Sequence, residues 1–469
     1  MRHDVGTARV SAQHSPSLDR RLGPLDAAAI VVSNVIGGGI FFVPILVAGL
    51  VSDARAILLV WVVGGALAFA GAMAYAELAA LRPHAGGEYV YLRDAYGPMA
   101  AFLSGWTSFV AGFSGAIAAS ALALADYVGR FLPGAADAAP LLTIPLPFVP
   151  LVVSRQTLVA LTVIAALTVV HVRGLRLGRV VQNVLAGTKV TALVVFVALG
   201  LGVGHGVAAH FTTPATSGIT PMLLALIPVM FTYSGWNAAT YVAEEVRSPE
   251  RNVPLALGLG TLTVIVIYVS LNALYLYALP VAELAAVPGA RLIDTVAERL
   301  FGVVAGSLLA VFSIISIAAS VSAMMIAGPR VYFAMARDGV FAAPAGTIHP
   351  VSRVPTRAVI AQAVWSCVLV LCGTLSELVS YTGFALVLFS GIAVVSVFVL
   401  RFRQPDEPRP FRAWGYPWAP AVFVVASVLM LANEIWRSPG TSAVGLGVIV
   451  AGVPVYWWMR KGRALQGSL

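Results

Sequence analysis

Long apolar runs recur along the whole chain and alternate with short segments that are polar or contain glycine and proline. A run of about 20 apolar residues can cross the hydrocarbon core of a bilayer as an α-helix. The pattern therefore predicts an all-α polytopic membrane protein. We expect twelve transmembrane helices, at residues 24–51, 55–80, 95–128, 156–172, 180–203, 219–244, 253–279, 300–328, 356–373, 377–400, 417–436 and 441–459.

Composition and charge agree with this class and predict the orientation. Hydrophobic residues make up 59% of the 469 residues and charged residues only 10%, which excludes a soluble globular domain. Starting from the N-terminal tail, alternate segments hold 22 of the 29 lysines and arginines, whereas the opposite loops hold six. Because cytoplasmic loops are rich in Lys and Arg, both termini are expected in the cytoplasm. The net charge of +9 then reflects topology, and we expect no nucleic-acid partner.

Two of the predicted helices carry helix-breaking sequences near their middle. The first contains "SNVIGGGIFFVP", with Gly37, Gly38 and Gly39 in a row, and the sixth contains Tyr233 and Ser234 followed by Gly235. At about 1.5 Å per residue each break lies roughly 15–17 Å from the cytoplasmic end of its helix. The two helices run in opposite directions, which predicts an inverted-repeat transporter with a site at mid-depth. The alternative is that the glycines only allow close helix packing.

An unwound segment inside a membrane exposes backbone groups that can bind charge. N–H groups at the start of the outer half-helix, near Gly39, favour an anion such as a carboxylate. Carbonyl groups at the end of the inner half-helix, near Val35 and Ile36, favour a cation such as an ammonium group. Carbonyls freed in the sixth helix, near Phe231 and Ser234, can share that cation. Together they predict a site for a zwitterionic α-amino acid and leave its side chain open.

Lys189 is predicted to lie deep in the membrane, roughly 15 Å beyond Arg179 if the fifth span is helical. Intramembrane lysines are rare and mark functional sites. Three roles are open for it. It can form a structural ion pair with an acid, stabilise an unwound helix as a fixed cation, or carry a coupled proton.

The remaining charged and sulfur-containing residues predict no reaction chemistry. Charged residues of the first cytoplasmic loop are interpreted as an interfacial network; they are Arg82, His84 and Glu88. Glu77, near a span end, is expected to be solvated. Cys367 and Cys372 lie in one apolar run, where we expect neither a disulfide nor a metal site. Because no H-E-x-x-H or G-x-S-x-G motif occurs, we expect no enzyme activity and no cofactor.

Four motifs occur in order: "VIGGGIFFVP", "YAELAALRPHAGGEYVYLRDAYGP", "LGRVVQNVLAGTKVTAL" and "FTYSGWNAATYVAEEVRSPERNVPLAL". With them the chain resembles the amino acid–polyamine–organocation (APC) superfamily, and within it the L-type amino acid transporter branch. The resemblance implies a LeuT-type fold with a five-plus-five inverted repeat, discontinuous first and sixth helices, and two peripheral helices. It divides the chain into an N-tail (1–21), two repeats (22–203 and 204–403), the peripheral helices (404–460) and a C-tail (461–469).

The resemblance also implies a set of substrate-binding residues, carried over by position. They are Val35, Ile36, Gly37, Gly38, Gly39, Phe231, Thr232, Tyr233, Ser234, Gly235 and Asn237. Gly38 and Gly39 are expected to meet the substrate carboxylate. Val35 and Phe231 are expected to offer carbonyl oxygens to the ammonium, and the Phe231 ring is the expected gate. Asn237 is expected to hold the unwound segment or the substrate.

The implied activity is sodium-independent exchange of amino acids, with proton-coupled symport as the alternative. Lys189 matches a lysine that stands where sodium-coupled relatives bind a sodium ion. Many relatives have serine at the position of Gly38, so one hydroxyl contact is absent here. Relatives that take cationic amino acids have aspartate at the position of Ser234, so neutral L-amino acids are expected. Two further functions stay open, namely uptake of cationic amino acids or polyamines, and amino acid sensing by a receptor that does not transport.

The resemblance also bears on partners and location. Some animal relatives attach to a heavy chain through a cysteine between the third and fourth spans. That loop, residues 129–155, contains no cysteine here, so we expect no disulfide-linked heavy chain. The protein is expected to function as a single chain, with the lipid bilayer and the amino acid as partners. Its alanine- and arginine-rich composition indicates a bacterial cytoplasmic membrane.

Overall fold

A computed structural model describes residues 18–466 of the protein, except 146, 148, 213–216, 288–291 and 374. Helices dominate this part of the chain. In order they are α1 (Pro24–Val35), α2 (Val43–Leu50), α3 (Ala54–Leu81), α4 (Glu88–Tyr96), α5 (Pro98–Thr107), α6 (Phe113–Val128), α7 (Arg155–Val172), α8 (Leu175–Gly202), α9 (Ile219–Tyr233), α10 (Ala238–Tyr241), α11 (Pro249–Ala278), α12 (Val281–Ala285), α13 (Leu292–Phe301), α14 (Val303–Arg337), α15 (Thr356–Cys372), α16 (Leu375–Arg403), α17 (Trp418–Arg437) and α18 (Pro439–Gln466).

The helices confirm a polytopic all-α membrane fold but not the count of twelve spans. By length and composition, ten helices of the described residues can cross a bilayer. The first predicted span is too short as a continuous helix because α1 stops after 12 residues, at the break. The ninth, α15, has only 17 residues. Twelve is reached only when these two shorter apolar helices are also counted, and that number stays a prediction.

The fold departs from all-α in one hairpin between α6 and α7. Strand β1 (Pro140–Ile144) pairs antiparallel with β2 (Leu151–Ser154). The residues of β1 are exposed, whereas β2 is partly buried and ends at the buried Ser154, the N-cap of α7.

The interrupted first helix lies inside the bundle. α1 contacts α11, α14 and α8, while α2 contacts α9 and α12. Several glycines do serve close packing here. A Cβ added to Gly260 of α11 would lie 2.8 Å from Val31 of α1, and one on Gly64 of α3 would lie 2.5 Å from Val229 of α9. Gly38 of the first break differs from these glycines, because an added Cβ there would meet nothing within 4 Å.

Glu77 is buried, so the prediction that it is solvated was wrong. Its carboxylate lies 2.7 Å from Arg401 and 3.5 Å from Arg409, and it accepts the Ala413 N–H over 2.7 Å. Arg401 is 324 positions away in the chain. Local sequence cannot show such a pairing, since the partners come from the end of α16 and the connector that follows it.

Candidate functional site

The first break separates α1 from α2. The Gly37 N–H donates to the Val35 carbonyl over 2.8 Å, and one 3-10 turn, Gly39–Phe41, precedes α2. Among the described residues neither the Gly38 N–H nor the Gly39 N–H has a backbone acceptor. A Cβ added to Gly38 would meet nothing within 4 Å. The break thus presents two backbone donors beside open space, an arrangement suited to an anion.

The second break separates α9 from the single-turn helix α10. Gly235 has φ +98°, a conformation that side-chain-bearing residues rarely adopt, and an added Cβ would lie 2.6 Å from Asn34 Nδ2. The Asn34 amide donates to the Gly235 carbonyl over 3.1 Å. An added Cβ on Gly39 would lie 3.2 Å from Thr232. The two breaks, about 200 residues apart in sequence, are therefore in direct contact.

Lys189 of α8 is fully buried against the first break. Its ammonium donates to the Ile36 carbonyl over 2.5 Å, to the Ser33 carbonyl over 3.2 Å, and to the Ser320 hydroxyl over 3.1 Å. Ser320 Oγ also lies 2.8 and 2.9 Å from the same two carbonyls. No carboxylate of the described residues pairs with Lys189, so the structure gives no support to an ion pair. The ammonium is held by neutral oxygens, three in number.

The carbonyls expected to meet a substrate ammonium are partly occupied. The Val35 carbonyl accepts the Gly37 N–H over 2.8 Å and the Tyr268 hydroxyl over 2.9 Å. The Phe231 carbonyl accepts the Ser234 N–H over 3.0 Å. Since a carbonyl oxygen has two lone pairs, Phe231 retains acceptor capacity, whereas Val35 is saturated in this arrangement.

The predicted residues of α9 point in different directions. The Phe231 ring is half-buried and reaches α16, where its nearest atom lies 3.1 Å from the position of a Cβ on Gly383. The Tyr233 hydroxyl instead donates to the Trp61 carbonyl over 3.1 Å and is buried among aromatic rings. The Thr232 hydroxyl donates back to the Pro228 carbonyl of its own helix. Of these three side chains, only Phe231 extends toward α16.

A cavity adjoins the second break and lies between α9, α16 and α17. Ser234, Gly235 and Asn237 of the break line it, together with Ser390 of α16 and Ser427 of α17. The residues of the first break, from Val35 to Gly39, are not part of its lining. The structure therefore joins the two breaks through Asn34 and Thr232, but only the second break opens into this cavity.

Asn237 is buried and bonded to Glu88, a residue that we expected in an interfacial gate or loop network. Its Nδ2 donates to Glu88 Oε1 over 2.6 Å and to the Tyr241 hydroxyl over 3.0 Å. Of the first-loop charges, Arg82 does pair at the surface, with Asp94 and Glu407. Glu88 points inward and is 4% exposed, so within the expected gate or loop network it lies on the inner side.

At the end of the bundle where the N-terminal segment enters α1, backbone and ionic bonds join the two interrupted helices. Leu22 and Val246 form a parallel bridge in which the Leu22 N–H donates to the Glu245 carbonyl and the Arg247 N–H to the Leu22 carbonyl, both over 2.9 Å. The Glu245 carboxylate pairs with the buried guanidinium of Arg330 at 2.7 Å. The segment before α1 and the segment after α10 are thus tied together.

Sequence reasoning missed four residues that hold the breaks, namely Asn34, Glu88, Tyr268 and the hydroxyl of Ser320 as a lysine ligand. Asn34 carried a usable signal, because it is a polar residue beside a glycine cluster in an apolar run. The contacts of Tyr268 and Ser320 carried none, because each depends on which face of a long apolar helix meets α1.

Comparisons with known proteins give a consistent result. The family model described as amino acid permease matches residues 22–459. The chain is similar to the human "Large neutral amino acids transporter small subunit 2", with 29% identity over 464 residues, 96% of this chain and 83% of the relative. It is similar to the "Serine/threonine exchanger SteT" of Bacillus subtilis (strain 168), with 27% identity over 95% of this chain and 98% of the relative. It is also similar to the human "Cystine/glutamate transporter", with 28% identity over 98% and 90%.

Proposed function

Because the chain belongs to the amino acid permease family, we propose that it is a sodium-independent secondary transporter that exchanges neutral L-amino acids by alternating access. The family and the ten apolar helices make it a multi-pass membrane protein and not an enzyme. Relatives of similar length are named as amino acid transporters, and one as an exchanger, which supports exchange as the mode of transport.

The observation that carries the proposal is that the buried ammonium of Lys189 donates hydrogen bonds to the carbonyls of Ser33 and Ile36. Carbonyl and hydroxyl oxygens of this kind are ligands that hard cations prefer. Two unit charges 4 Å apart repel by about 4 kcal/mol at an effective dielectric constant of about 20. A fixed ammonium therefore both stabilises the unwound main chain and keeps a sodium ion out, which supports sodium-independent transport.

For the substrate we propose that the N–H groups of Gly38 and Gly39 bind the carboxylate from the open space beside them. The Phe231 carbonyl is the better partner for the ammonium, since Val35 already accepts two hydrogen bonds. The Phe231 ring is the proposed gate. Because Ser234 brings no negative charge to the site, neutral amino acids are preferred over arginine, lysine and polyamines.

Counterflow in proteoliposomes tests this function. Vesicles loaded with one unlabelled neutral amino acid should take up labelled neutral amino acids when sodium is replaced by choline, and arginine should compete weakly. Strong arginine uptake with weak uptake of every neutral amino acid would overturn the substrate class. A sodium requirement would overturn the role given to Lys189, and binding without flux would assign a receptor.

Proton-coupled symport is the second candidate, and Lys189 is again the reason, because a buried lysine can lose its proton. The two mechanisms differ in what drives accumulation. A pH gradient across vesicles without internal substrate should drive uptake by a symporter and leave an exchanger inactive. Measuring both modes in the same vesicles decides between them.

We further propose that the protein works as a single chain in a bacterial cytoplasmic membrane with both termini in the cytoplasm. Residues 129–155 contain no cysteine for a disulfide-linked heavy chain, and Cys367 and Cys372 both lie in α15. Transport by the purified chain alone supports this. A need for a second subunit would refute it, and labelling of single cysteines placed at the termini tests the orientation.

A further inference from the structure

Glu88 is a buried acid at the second break that the proposed transport cycle does not yet use. It is the first residue of α4, which lies between the spans α3 and α5–α6, and its side chain enters the bundle. Three donors converge on its Oε1: the Tyr75 hydroxyl at 2.6 Å, the Asn237 amide at 2.6 Å and the Ser390 hydroxyl at 3.4 Å. The Tyr241 hydroxyl also bonds to the carboxylate. One acid thus connects α3, α10 and α16 to the end of the break.

The surroundings of Glu88 contain no countercharge within the described residues. The titratable groups that face it are tyrosines, namely Tyr75 from α3, Tyr241 from α10 and Tyr91 from its own helix. From α16 it meets Ser390. α5 presents no described charged contact to it. The charged groups of the surrounding elements are engaged elsewhere, Arg93 of α4 with Asp338 at 2.7 Å and Arg330 of α14 with Glu245 at 2.7 Å. Burial without a cation raises the pKa of Glu88, although hydrogen bonds from Tyr75, Tyr241, Asn237 and Ser390 oppose the rise.

The acid is connected to the cavity beside the second break. Two of its donors, Asn237 and Ser390, line that cavity together with Ser234 and Gly235. Only one side chain, Asn237 or Ser390, therefore separates the carboxyl group from the cavity.

We propose that Glu88 is a proton-binding site that controls the second break. As a carboxylate it accepts the Asn237 amide and holds the segment from Gly235 to Tyr241 in the binding arrangement. When it takes up a proton, its oxygens become weaker acceptors and its hydroxyl competes for the same partners, so Asn237 is released. The inference rests on the proposed transport function and adds to it a proton that modulates the same site. Glu88 acts through Asn237 and is a positioning residue, not a substrate ligand.

The direction of the effect follows from which form is active. Exchange should be fast where Glu88 is ionised and should fall at acid pH, about tenfold for each pH unit below its titration point. Because the effect is local, it should appear when both sides of the vesicle are at the same pH. It therefore differs from any driving effect of a pH gradient through Lys189.

The experiment is counterflow of a neutral amino acid at equal internal and external pH, over a series from weakly acid to weakly alkaline. In the wild type we expect the exchange rate to fall at acid pH, a fall that we call the acid limb of the pH profile. In Glu88→Gln we expect a rate that does not change with pH, because glutamine keeps an acceptor oxygen but cannot titrate. Glu298→Gln is the control, since this acid of α13 is exposed and lies 3.7 Å from Arg130, away from both breaks, and the variant should keep the wild-type profile. An acid limb that survives unchanged in Glu88→Gln overturns the inference.

Tyr75→Phe provides a test that does not depend on how well the Glu88 variant folds. It removes one donor to the carboxylate and keeps the ring against Trp236, whose centroid lies 4.8 Å away. Losing a donor to the charged form raises the pKa of Glu88, so the acid limb should move to higher pH. An unmoved limb overturns the inference. A wild type that exchanges no amino acid at any pH instead refutes the proposed function itself, so the two failures are distinguishable.

Discussion

Each break of the site has one buried ionisable residue beside it, and the two residues are bonded in different ways. Lys189 touches the first break directly, through the carbonyls of Ser33 and Ile36. Glu88 touches the second break through a side chain, the amide of Asn237. Neither forms a salt bridge with any described residue, so each charge is stabilised by neutral dipoles alone.

The difference teaches how a charge controls an unwound helix. A cation bonded to backbone carbonyls fixes the main chain itself, and removing it leaves buried acceptors without donors. An anion bonded to an amide side chain holds the backbone indirectly, and one proton changes the strength of that bond. The first break is thus anchored, whereas the second is adjustable.

The largest expected effect on the structure of a break comes from removing the cation that anchors it. Lys189→Ala should lower exchange by about 100-fold, because each buried carbonyl left unpaired costs about 1–3 kcal/mol. Counterflow of purified protein measures the loss, and size-exclusion profiles verify that the variant is folded. Exchange above half the wild-type rate would show that the first break needs no cation.

Substitution of a glycine should have different effects at the two breaks. Gly235→Ala should lower exchange about tenfold or more, since a left-handed residue with a side chain costs about 1–2 kcal/mol and the added atom meets Asn34. Gly38→Ala should leave thermal stability unchanged, because nothing lies within 4 Å of the new atom. Gly38→Leu should abolish substrate binding without loss of stability, since its side chain fills the proposed carboxylate position. Equal stability losses at Gly38 and Gly235 would contradict this difference.

Ser320→Ala should have a smaller effect, about fivefold on exchange, because it removes one ligand of the ammonium but keeps the charge. The measurement is the same counterflow assay, with Lys189→Ala as the reference for complete loss. If Ser320→Ala were as severe as Lys189→Ala, the hydroxyl and not the ammonium would be the main support of the first break.

The smallest expected effect belongs to Ser390→Ala, the matching hydroxyl at the second break. Its contact with Glu88 is 3.4 Å long, at the limit of a hydrogen bond, so exchange at alkaline pH should stay within about twofold of wild type. A loss as large as that of Ser320→Ala would mean that both breaks are anchored alike.

Sequence alone predicted the features that depend on local pattern. Glycines in an apolar run and a lysine at mid-helix are visible without a fold, so both breaks and Lys189 were found. The ligands of Lys189 were not predictable as a set, because Ser320 lies 131 positions away and any of several serines of α14 had the same local context. The burial of Glu77 and Glu88 could not be predicted for a related reason. Glu77 lies near the end of an apolar span and Glu88 follows two glycines of a loop. Their partners come from distant segments, Arg401 at the end of α16 for Glu77 and Asn237 and Ser390 for Glu88.

The bridge between Leu22 and Val246 allows the opening of one end of the bundle to be measured by hydrogen–deuterium exchange. Two N–H groups, of Leu22 before α1 and of Arg247 after α10, are hydrogen-bonded across this end of the bundle. Each amide can replace its hydrogen by deuterium only when the two segments separate. The rate of hydrogen–deuterium exchange at these amides therefore measures how often this end opens. If added substrate makes this end open more often, hydrogen–deuterium exchange should become faster at both amides together, while it stays slow at the amides of α3. The frequency of this opening can therefore be followed at two known positions, without any label attached to the chain.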